Sequence, residues 1–125
     1  MTTIYQVGPD AAYDEGQVQE DRFEWVVYWY EDGGYDGSGN AVGYNKDDQC
    51  LYSYDMGHCS CYGPFDSWGS NQTKVTVEEF FRDKDCIFDP DYKDEVVKKV
   101  AELLPWAVPQ GKVFKEKFDL LGNMD

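Results

Sequence analysis

The chain has little positive charge, a single histidine and no long apolar run. Eleven Lys and Arg stand against twenty-five Asp and Glu, for a formal net charge of −14. A field of that sign repels nucleic acid and anionic membranes and steers the chain towards basic surfaces. No run of about 18 or more apolar residues occurs, so no membrane-spanning helix is expected. The first residues, Met-Thr-Thr-Ile-Tyr-Gln, have neither the basic nor the apolar region of a secretory signal, and the expectation is a cytoplasmic protein. There are only four cysteines, and in a reducing compartment they read as free thiols, metal ligands or core residues rather than as a disulfide framework.

Aromatic residues, by contrast, are abundant: ten Tyr, seven Phe and four Trp in 125 residues. Large rings supply much apolar area each, and the length suits one domain, 1–125, with a real core. The charge is lopsided. Residues 1–66 carry thirteen acids and two bases, whereas residues 67–125 carry twelve acids and nine bases.

The pattern predicts an α+β fold: a small antiparallel sheet from the first 60 residues, with two or three helices packed on one face. Arg22 to Tyr30 is the clearest strand, with Phe23, Trp25, Val27 and Trp29 on one face and Glu24, Val26, Tyr28 and Tyr30 on the other. Glu31 to Asn40 holds four glycines and reads as a loop. Residues 41–45 and 49–55 read as two further strands around a Lys46-Asp47-Asp48 turn. Residues 1–21 read as a loop or arm whose start adds an edge strand. Thr76 and Glu79 have capping-box spacing, and Asp89-Pro90 opens a second helix with an apolar stripe that ends at Pro105.

The chemistry concentrates in Met56-Gly57-His58-Cys59-Ser60-Cys61-Tyr62-Gly63-Pro64. With Cys50 and Cys86, His58, Cys59 and Cys61 make five soft ligands, enough for a zinc site, although the paired knuckles usual for zinc are missing. The enzymatic alternative is a thiol nucleophile, Cys59 or Cys61, activated by His58. No third orienting group is identifiable, and the surrounding acids disfavour a thiolate. Asp36, Ser38, Asn40 and Asp47 match the first, third, fifth and twelfth positions of a calcium loop. Ala41 stands where that loop needs glycine, and the flanks read as strands, so a plain glycine loop is the expectation.

Residues 29–39, Trp-Tyr-Glu-Asp-Gly-Gly-Tyr-Asp-Gly-Ser-Gly, and the Asp55–Pro64 segment resemble a small uncharacterised domain of phage and bacterial reading frames. The similarity covers about residues 25–66, and the Gly-His-Cys-Ser-Cys-Tyr-Gly-Pro motif is its more specific part. It implies a recurring structural unit and a phage or mobile-element setting, and carries no established activity. In that setting an acidic, non-enzymatic binding protein is expected. Its target would be a basic nucleic-acid-binding host protein such as a CRISPR effector or another defence nuclease, met by DNA mimicry or an anti-CRISPR-like contact. The candidate contact residues are Glu24, Tyr28, Tyr30, Glu31, Asp32, Tyr35, Asp36, Asp47 and Asp48. The alternative is a zinc-stabilised interaction module.

Overall fold

The structure is a computed structural model that describes residues 2–18, 22–33, 36–57, 63–65, 68, 72–83, 87 and 89–105. Five strands form one sheet: β1 (Thr3–Gln6), β2 (Trp25–Asp32), β3 (Gly37–Asn45), β4 (Cys50–Asp55) and β5 (Thr73–Thr76). Their spatial order follows the chain, β1-β2-β3-β4-β5. The pairs from β2 to β5 are antiparallel, as alternating strands joined by short turns must be. The β1–β2 pair departs from the antiparallel expectation. It is parallel, with Thr3 opposite Trp25 and Gln6 opposite Tyr28. Parallel neighbours need a crossover, and residues 7–24 supply it.

β2 starts later than expected, at Trp25, and runs two residues further into the glycine-rich stretch, to Asp32, while β3 begins earlier. Gly37 and Gly39 lie inside β3, opposite Asp32 and Tyr30, and only 33–36 turn the hairpin. Gly39 is there for close approach, because a Cβ at this position would fall well inside contact distance of the Trp29 carbonyl oxygen. The same extension removes the calcium register. Asp36 and Asp47 sit beyond opposite ends of β3, whose nine residues span about 26 Å at ~3.3 Å per residue.

Each face of the sheet is covered. Trp25, Val27, Trp29, Val42, Tyr44 and Leu51 meet the helices α1 (Val77–Asp83) and α2 (Pro90–Leu103), including Phe80, Val96, Val97 and Val100. Tyr92 stacks on Trp29 with centroids 4.6 Å apart, which fixes the first turn of α2 on β2. Both helix starts follow their sequence signals. The Glu79 amide donates to Thr76 Oγ1 at 3.0 Å, and the Thr76 amide donates to Glu79 Oε1 at 2.9 Å. Asp89 caps α2 by accepting from the Asp91 amide at 2.8 Å.

The opposite face is not open to water. Val26, Tyr28, Tyr30, Ala41 and Tyr54 pack there with Ala12, Val18, Phe23, Met56, Phe65 and Trp68. Phe23, which period-two counting puts beside Trp25, belongs to this second layer, because it precedes β2 and lies over Gly43. Rings replace helices as filler. Phe65 lies edge-on to Tyr28 and Trp68 edge-on to Tyr54, each pair within 6 Å centroid to centroid.

Candidate functional site

The described candidate acids fall into two groups at opposite ends of the sheet. β2 carries Glu31 and Asp32 at its end, and Asp36 follows in the hairpin, all exposed. Glu24 precedes β2 at the other end, where the β3–β4 turn brings the exposed Asp47 and Asp48. The eight residue steps from Glu24 to Asp32 correspond to about 26 Å of extended chain. A rigid ladder of hydrogen bonds holds the two groups apart, so each is a fixed patch of charge.

The two ends differ in chemistry. At the turn end Asp48 is engaged: its Oδ2 accepts from Tyr52 Oη at 2.6 Å and faces Lys74 Nζ at 3.3 Å, and its Oδ1 accepts from the Cys50 amide. The Tyr52 hydrogen bond, with the Cys50 amide and Lys74, holds the Asp48 carboxyl below the usual carboxylate range. Reciprocally, the bond to Asp48 raises the Tyr52 phenol and the Lys74 ammonium. Asp48 is thus a clamp between the turn, β4 and β5. At the hairpin end the Asp32 amide donates to Asp10 Oδ2 at 2.7 Å, which adds a fourth acid to Glu31, Asp32 and Asp36. Nearby in the chain, Tyr13 is 71% exposed, and it is the exposed large aromatic among the described residues.

Tyr28 and Tyr30 are corrected by their burial. Their relative exposures are 0% and 1%, so neither ring meets a partner across the folded surface. Tyr28 Oη donates to Glu15 Oε2 at 2.6 Å and accepts from the Ala12 amide at 3.0 Å. Burial, then the bond to Glu15, pushes the Tyr28 phenol well above its ordinary value. Burial and the nearby charges of Asp32, Asp14 and Asp10 push Tyr30 up to about 12. These phenols are structural.

Among the metal candidates, His58, Cys59, Cys61 and Cys86 lie outside the described residues, as does Tyr35 among the contact candidates. Cys50 is described and half-buried at the start of β4. That start is roughly 17 Å along the strand from Asp55. Among the described residues, no three His, Cys, Asp or Glu side chains gather in a group able to hold a metal ion. No helix among them is long and apolar enough to cross a membrane.

Asp10 and Tyr13 are the site residues that sequence reasoning missed. Both sit in the crossover, and placing them requires knowing that β1 runs parallel to β2. The Gly8-Pro9 turn is the one local cue. A Cβ on Gly8 would lie 2.8 Å from the Tyr30 amide nitrogen, so the chain enters the crossover pressed against β2.

Comparison with known families, curated proteins and solved structures finds no match.

Proposed function

We propose that this is an acidic, non-enzymatic binding protein whose target is the basic groove of a nucleic-acid-binding protein. The observation that carries the reading is the placement of exposed carboxylates, Glu31, Asp32 and Asp36 foremost, at the end of a rigid sheet. A groove lined by Lys and Arg attracts such patches as it attracts phosphates, and the hydrogen-bonded ladder keeps the carboxylates in place without further ordering. The resemblance of residues 25–66 to a phage and bacterial domain supports a host-defence target, a CRISPR effector or another defence nuclease, inhibited in a host cytoplasm.

Of the two patches, the hairpin end is the docking end. At the turn end the Lys74 ammonium faces Asp48 and offsets part of the negative charge, whereas four acids, Glu31, Asp32, Asp36 and Asp10, gather at the hairpin end, with the exposed Tyr13 three residues after Asp10 in the chain. Tyr is favoured at binding hot spots because it brings contact area at small entropic cost.

The test is target-DNA cleavage by purified CRISPR effectors and other defence nucleases, with and without the protein. Inhibition that weakens steeply with salt is the expected result for one of them. Glu31→Lys, Asp32→Lys and Asp36→Lys combined should abolish it. Inhibition and salt dependence unchanged in that triple variant would overturn the reading.

A further inference from the structure

The crossover segment 9–18 lies over the aromatic layer and is attached by an unusual means. Among its described residues only Ala12 and Val18 are buried apolar side chains. Its three acids, in contrast, are all half-buried, while Ala11, Tyr13 and Gly16 between and beside them are exposed. Each acid accepts a hydrogen bond from a different point on the body of the protein. Asp10 Oδ2 takes the Asp32 amide at 2.7 Å, Asp14 Oδ2 takes the Phe65 amide at 2.9 Å, and Glu15 Oε2 takes the Tyr28 hydroxyl at 2.6 Å. Two bonds from the strap's own amides complete the attachment, from the Asp10 amide to the Tyr30 carbonyl and from the Ala12 amide to the Tyr28 side-chain Oη.

We propose that residues 9–18 form a strap, latched by the carboxylates of Asp10, Asp14 and Glu15, that opens as a unit while the sheet stays folded. The balance of attachments supports this. The helix face is closed by more than ten interlocked apolar side chains, and separating it from the sheet exposes a large apolar area at once. The strap instead returns three carboxylates and their donors to water, where each is well solvated, and exposes only two small apolar side chains of its own. Segments with few buried apolar contacts open at lower free energy than the core. Because the latches hold six consecutive residues to separate elements (the end of β2, its middle, and the 63–65 turn), a single broken latch re-forms while the others hold it in place, and full opening requires all three to release together.

Native-state hydrogen exchange tests this on the intact chain, with the Asp10, Ala12 and Glu15 amides as reporters of the strap and Val42 and Tyr44 in β3 as reporters of the sheet. The expected result is a shared protection for the strap amides at least tenfold below that of β3, with a smaller denaturant dependence. Glu15→Ala should accelerate strap exchange about tenfold or more, the usual scale for a hydrogen bond to a charged group. Asp14→Ala should act in the same direction and serves if the first variant folds poorly. Strap amides that share the protection and denaturant slope of β3 would overturn the proposal. So would strap exchange unaltered in both variants.

Discussion

Tyr30 shows how a single side chain ties the sheet to pH. Its phenol is held neutral by burial and by nearby carboxylates, with its titration raised from 10.0 to about 12. A raised folded value contributes stability that is complete below the unfolded value near 10 and is lost as pH rises through 12. Thermal melts between pH 8 and 12 should therefore show the midpoint falling above pH 10, by the equivalent of about 1–3 kcal/mol from this group. Tyr30→Phe should flatten part of that fall, and an unchanged profile would count against the burial account. Gly39 is the steric counterpart. Gly39→Ala drives a methyl into the Trp29 carbonyl, and a backbone clash inside a paired strand should cost about 3 kcal/mol or more, read from urea unfolding. Neither effect is legible in sequence. Tyr28 and Tyr30 alternate with buried residues on the other side of β2, so period-two counting makes them surface candidates unless the second layer is known.

At the scale of elements, the local signals were readable and the long-range ones were not. Thr76 and Glu79 fix the start of α1 from four residues of sequence, and Asp89-Pro90 does the same for α2. Thr76→Ala should lower stability by about 1 kcal/mol, with Thr76→Ser nearly neutral, as measured by chemical denaturation. A loss shared equally by the serine variant would point to the methyl group and away from the cap. The glycine-rich stretch misled because glycine has two uses. At residues 33–36 it accompanies a turn, whereas at 37 and 39 it lets strands approach, and composition alone does not separate these. The second layer was hidden for a similar reason: Ala12, Val18, Phe65 and Trp68 come from segments that look like plain loop, and only tertiary placement joins them.

Taken as a whole, the molecule is a polar-ended plank with one helical and one looped side. Its charge was legible at once, and its division between two ends was not, because that division depends on the hairpin register. Reversal at Glu24 and Asp47 offers the internal control for the hairpin-end variant. If the hairpin end docks, the two-residue variant should retain most of the inhibition while the hairpin variant loses it, in the same cleavage assay. Equal losses would assign the contact to net charge instead of position.

The parallel β1–β2 pair also sets an order of assembly. β2, β3 and β4 are joined by turns of four residues each, so their pairing closes short loops. β1 finds β2 only after eighteen intervening residues have been looped back, at a higher entropic cost and with a ladder of only four residue pairs to zip. The meander is thus expected to form first and the amino-terminal strand to join it late. Until that strand arrives, the newly folded sheet presents the bare backbone of β2 as an edge, and any chain competing for that edge has its opportunity during synthesis and not afterwards.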